Sequence, residues 1–149
     1  MTLGERQAAS GRQGRAFEET VEVLLRVEGW TILERNWIHP VIAVEVDIVG
    51  IDPSGTEWWV ECKGSWESSR NSLQRTDTFK KAIANGALLR VQQDPKPFMI
   101  IASHLPVADS AGDRWIPDSL NNYVDEIRLV GFTRRSKAEV LKDLNGGEN

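Results

Sequence analysis

Residues 41–64, VIAVEVDIVGIDPSGTEWWVECKG, place two β-prone runs on either side of Asp52-Pro53-Ser54-Gly55. Proline presets φ at one turn position and glycine accepts the positive φ that another requires, so the stretch reads as a β-hairpin. With a loop of Pro53 to Gly55, Asp47 falls opposite Glu61 and Glu45 opposite Lys63. Side chains alternate between the faces of a strand. Val44, Val46, Ile48, Trp58, Val60 and Cys62 are therefore expected on one apolar face, and Glu45, Asp47, Val49, Trp59, Glu61 and Lys63 on the other.

Like charges directly across a ladder destabilise it, so an Asp47–Glu61 pair calls for a compensating positive charge. A hard divalent cation supplies one. Mg²⁺ is held by one or two carboxylates together with waters and phosphate oxygens, and Mn²⁺ is expected to substitute for it. Lys63, two positions beyond Glu61 on the same face, is placed to bring a compact positive charge to the same water or phosphate. Glu45 is the expected cross-strand partner that positions Lys63, with a plain surface ion pair as the competing reading.

Asp47 followed by Glu61-Cys62-Lys63 resembles the PD-(D/E)xK nuclease superfamily, and the layout looks closest to the Holliday junction resolvase-like and Mrr-like members. The resemblance runs from about Gly14 to Leu89, and Val46-Asp47 stands where the motif's name has Pro-Asp. It implies an α/β domain with a restriction-endonuclease-like core: a central mixed β-sheet flanked by helices, with the active site on the hairpin. It also implies Mg²⁺-dependent endonuclease action on the phosphodiester bonds of DNA. Catalytic roles would fall to Asp47, Glu61, Lys63 and Glu18, the last on the first helix in Gly14-Arg15-Ala16-Phe17-Glu18. The implied metal ligands are Asp47, Glu61, Glu18 and the backbone carbonyl of Cys62. Glu19 and Glu22 compete with Glu18 for the helix position. The alternative function is a catalytically silent nuclease fold that serves as a nucleic-acid-binding or assembly subunit.

The rest of the chain fits one domain over residues 1–149. Residues 1–10 read as a flexible arm. A helix is expected from Ser10 or Gly11 to Glu28, with an apolar stripe of Phe17, Val21, Leu24 and Leu25 and a stop at Gly29. Trp30 to Ile38 reads as a strand. Residues 64–74 read as a polar loop beside the site, in which Trp66 either tucks against the body, the commoner role for such a residue, or stacks on an unpaired base. A helix follows from Thr76 or Asp77 to Val91, with Phe79, Ala82, Ile83, Ala87 and Leu88 as its core stripe. Gln74, Arg75, Lys80 and Lys81 are the candidate contacts to substrate phosphates. Phe98 to Ser103 is an expected strand, 105–118 a loop, Ser119 to Asp125 a short helix and Ile127 to Phe132 a strand. Arg134 to Leu144 is an expected last helix, and 145–149 a frayed tail.

Composition narrows the partners. Formal net charge is −4, so phosphate binding has to rest on local basic clusters rather than on the total. One cysteine permits no internal disulfide, which fits a cytoplasmic location. MTLGERQAASGRQGR has no apolar core of the kind a secretory signal carries, and no apolar run is long enough for a membrane span. The absence of a zinc-finger or helix-turn-helix pattern favours recognition of a DNA structure or end, or targeting by a larger protein complex. A small nuclease that cuts both strands suggests a homodimer.

Overall fold

The structure is a computed structural model that describes residues 2–65 and 72–130. Helix α1, Leu3–Val27, leads into strands β1, Thr31–Ile38, β2, Glu45–Ile51, and β3, Glu57–Lys63. A 3₁₀ turn at Ser72–Gln74 then opens helix α2, Thr76–Arg90, and strand β4, Phe98–Ala102, helix α3, Ala111–Asn122, and strand β5, Glu126–Leu129, follow. The strands form one sheet in the order β1-β2-β3-β4-β5. The first three are antiparallel neighbours, whereas β3, β4 and β5 run parallel. This is the expected α/β architecture, a mixed sheet with helices on both faces.

Each helix is positioned by an apolar stripe. Phe17, Val21 and Leu25 of α1 pack on Ile48, Val60, Cys62, Met99 and Ile101, and on the opposite face α2 puts Phe79, Ala82 and Leu89 against Val49, Trp59, Phe98 and Ile100. Gly29, at φ 98°, ends α1. Its N–H bonds the Arg26 carbonyl, and the N–H of Trp30 bonds that of Leu25, which is a Schellman stop. α1 starts at Leu3, ahead of the expected Ser10 or Gly11, so residues 3–10 of the expected arm are helical.

The hairpin has the expected register: Ile48, Val49, Gly50 and Ile51 pair with Val60, Trp59, Trp58 and Glu57. Its turn is organised by the Asp52 carboxylate, which accepts from the Ser54 and Thr56 amides and from the indole of Trp58. The expected sorting of faces fails for Val44 and Val46, both of which pack against the cluster opposite Ile48. Val46 packs with Val49 and Trp59, on the face opposite Ile48. The change of face falls where β2 is no longer paired to β3, the pairing of the two strands beginning at Ile48–Val60.

On α2 the buried residues are Phe79, Ala82, Gly86 and Leu89, while Leu88 is exposed. Gly86 explains the rotation away from Ala87 and Leu88, because a Cβ there would lie 2.6 Å from the Tyr123 carbonyl and 2.8 Å from the Phe98 ring. The N-cap is Arg75, with no side-chain capping bond, rather than a capping side chain at Thr76 or Asp77. α3 occupies most of the expected 105–118 loop. Ser110 caps it by accepting from the Asp113 N–H, and Pro117 lies inside it. Trp66, Phe132, the expected helix of Arg134 to Leu144 and the tail at 145–149 lie outside the described residues. No described helix is long and apolar enough to cross a membrane.

Candidate active site

The site forms where β2 and β3 part. Their regular pairing ends at Ile48–Val60, and beyond it the Asp47 carboxylate takes over the role of a ladder partner. Its Oδ2 accepts from the Cys62 N–H at 2.7 Å. Asp47 is thereby held against β3, with Glu61 on one side and Glu18 of α1 near it. Burial pushes the Asp47 carboxyl up to about 7; Glu18 and Glu61 push the same way, against the Cys62 hydrogen bond and Lys63.

Glu61 is buried, with only 4% of its surface exposed. Its Oε1 accepts from Asn85 Nδ2 at 3.0 Å and lies 3.2 Å from the Lys63 ammonium. Its Oε2 has no hydrogen-bond partner. Burial raises the Glu61 pKa, opposed by Lys63 and Asn85. A buried carboxylate with one satisfied and one open oxygen is costly unless a cation or donor reaches the open one.

Glu18 faces the sheet from α1 and shares Arg35 with Glu22, at 3.3 and 3.2 Å. Burial raises its pKa, and Arg35 holds that rise in check. Of the competing helix carboxylates, Glu19 is exposed and Glu22 belongs to the Arg35 pair. The Cys62 side chain is buried beside Phe17, and burial pushes its thiol well up, so this side of the residue is packing.

One expected contact is absent. Glu45 pairs with Ile38 of β1, and among the described residues Lys63 makes its ion pair with Glu61 instead of Glu45. The parting of the strands beyond Ile48–Val60 carries Glu45 away from the ladder position that would have faced Lys63. Glu45 still acts at a distance, raising the pKa of both Glu18 and Glu61.

The candidate phosphate contacts divide. Gln74, Arg75 and Lys81 line an open cleft of about 870 Å³ with Thr76, Val107 and Ser110. Lys81 lies one helical turn before Asn85, so the cleft's lysine and the Glu61 partner project from the same side of α2. Lys80 is not part of this cleft; its ammonium sits 5.3 Å over the Trp115 ring. Sequence reasoning missed Asn85 and Arg35. The available signal for Asn85 was an amide one turn from core residue Ala82 on an otherwise apolar stripe, and for Arg35 a cation on the strand beside the acidic helix.

Among the described residues no group of three or more His, Cys, Asp or Glu side chains gathers closely enough to hold a metal ion on its own. What the site offers is a pair of carboxylates with an open oxygen, a lysine, and a cleft whose charged lining is Arg75, Lys81 and Asp77.

No protein-family model matches the sequence, and no curated protein does. Two solved structures are similar to part of this chain. One is a repair endonuclease from Pyrococcus abyssi, with a TM-score of 0.43 and 16% identity over 78% of this chain and 46% of that one. The other is an EndoMS-dsDNA2 complex, with a TM-score of 0.44 and 17% identity over 76% of this chain and 43% of that one. The chain thus spans less than half the length of either.

Proposed function

We propose that this chain is a divalent-metal-dependent phosphodiesterase of the PD-(D/E)xK type that hydrolyses DNA. The observation that carries the reading is the open Oε2 of buried Glu61, set beside Asp47 and Lys63 at the point where the hairpin strands separate. The donor set is all oxygen and negatively charged, which suits Mg²⁺ or Mn²⁺. Asp47, Glu61 and the Cys62 carbonyl would hold the ion, with Glu18 as a further carboxylate. When bound, the ion supplies charge neutralisation at the phosphate and a more acidic water.

The chain's own groups do the rest. Asn85 holds Oε1 of Glu61 and leaves Oε2 without a partner. Lys63 brings a positive charge to the same carboxylate and is placed to stabilise charge developing on a phosphoryl oxygen. Arg75, Lys81 and Gln74 offer the cleft's donors to neighbouring phosphates. With net charge −4, binding away from this cleft is expected to be weak and salt-sensitive.

The test is cleavage of labelled linear duplex, supercoiled plasmid, single strand, flap and four-way junction in Mg²⁺, Mn²⁺ or chelator. Metal-dependent cutting by the wild type, lost in Lys63→Ala and Asp47→Asn, is the expected result, and the preferred substrate defines the class. DNA binding without cutting in any metal would replace this reading with that of a silent binding subunit.

A further inference from the structure

The carbonyl of Lys63 accepts two hydrogen bonds from outside its own strand. One comes from the Ser72 hydroxyl and the other from the Ser103 N–H, at 3.2 Å. Both serines are buried, at 7% and 3% exposure. The Ser103 hydroxyl in turn accepts from the Ser65 N–H at 3.1 Å and contacts His104 Nδ1 at 2.8 Å. Leu73 donates its N–H to the His104 carbonyl at 3.3 Å. The end of β3, the end of β4 and the 3₁₀ turn before α2 are thus tied into one knot around the backbone of Lys63.

Ser72 adopts φ 59°, a left-handed conformation that a residue with a Cβ takes up at a cost. Glycine would hold it without strain. What serine adds over glycine at this position is the hydroxyl on Lys63. The residues that follow, Leu73, Gln74 and Arg75, line the cleft that also holds Lys81 and Asp77. The same short turn therefore touches the cleft on one side and the lysine's backbone on the other.

We infer that Ser72 is a positioning residue, whose hydroxyl holds the Lys63 backbone so that the ammonium stays aligned with Glu61. This rests on the phosphodiesterase reading above. The strain is retained because the hydroxyl is needed, and Ser103 supplies the second, fixed support from β4.

Three variants separate the hydroxyl from the backbone conformation. Ser72→Gly removes both the hydroxyl and the strain, Ser72→Ala removes the hydroxyl and keeps the strain, and Ser72→Thr keeps both. Ser72→Gly is expected to melt above Ser72→Ala, yet both should lose about tenfold or more in kcat with KM within about twofold of wild type. Ser72→Thr, though less stable, should retain most of its kcat below its melting temperature. Full activity in Ser72→Gly, or activity that follows stability across the series, would overturn the inference. Amide exchange gives a readout independent of cleavage. The Ser65 and Ser103 amides should exchange faster in Ser72→Gly, and unchanged rates would also overturn it. A wild type that cuts nothing sinks the phosphodiesterase reading, while the exchange rates still decide whether the clamp exists.

Discussion

The ring of Phe17 lies against Gly64 so closely that a Cβ built on the glycine would fall 2.6 Å from the ring. Phe17 is fully buried and precedes Glu18; Gly64 follows Lys63. This contact sets the distance between the helix that carries one site carboxylate and the strand end that carries the lysine. Glycine is required here by space and not by backbone angle. Gly64→Ala is expected to force α1 outward and to cost about 1–3 kcal/mol, the usual range for overpacking. A thermal melt should show it, and cleavage should fall more than stability alone explains. Adding Phe17→Leu, which removes the ring atoms involved, should recover part of the loss. If the double variant is no better than the sum of the singles, the contact is not the cause.

The Asp47 carboxyl titrates near 7 in the fold, against an ordinary value of 3.8. Between those values the folded chain keeps a proton that the unfolded chain has released. Stability from this group is therefore full below about pH 4 and declines as pH rises toward 7, by on the order of 4 kcal/mol. The prediction is for chelator-treated protein, melted between pH 4.5 and 7.5. Asp47→Asn keeps an acceptor for the Cys62 N–H without the ionisation, so its melting temperature should fall less over that window. Glu18 and Glu61, also shifted upward, leave a residual slope of the same sign. Parallel slopes for wild type and variant would remove Asp47 from the account.

A bound cation should reverse that loss. At neutral pH, Mg²⁺ at about 100 times its dissociation constant adds about 2.7 kcal/mol by mass action, enough to raise Tm by several degrees. Asp47→Asn and Glu61→Gln should each reduce the gain, and chelator should return the wild type to its metal-free value. A shift of equal size in both variants would point to binding elsewhere on the surface.

The hairpin was legible because its turn residues and alternation agree: the Asp52 turn and the Ile48–Val60 register follow from the sequence. The α2 boundaries were legible as well, since a long stripe tolerates small errors. What escaped depends on tertiary contacts. Val46 changes face where β2 parts from β3, beyond Ile48–Val60, which no alternation rule contains. α3 was hidden by Gly112 and Pro117, residues that usually mark loops; here a Cβ on Gly112 would fall 3.2 Å from Pro106, and Ser110 supplies the cap. At the site the acidic pair and lysine were visible as a pattern. Their restraints, Asn85 on Glu61 and Arg35 on Glu18, lie 24 and 17 positions away in the chain and only the fold brings them near.

Asn85 gives the sharpest test of how Glu61 is held. Its amide donates to Oε1 at 3.0 Å, and the same oxygen lies 3.2 Å from the Lys63 ammonium, so two donors converge on one atom while the other stays open. Asn85→Ala removes one donor and leaves Lys63 to hold the carboxylate alone. The expected cost is about 1–3 kcal/mol, because the group involved is buried and charged. Asn85→Asp is nearly the same size, but it replaces the donor with a second carboxylate beside Glu61. Like charges at that distance disfavour ionisation of both, so Asn85→Asp should reduce cleavage more than Asn85→Ala does, although it leaves a smaller cavity. Steady-state kinetics on the preferred DNA, with melts of both variants, rank the two effects. If Asn85→Asp cuts as well as wild type, Glu61 does not depend on this amide, and its open oxygen must be oriented by Lys63 alone.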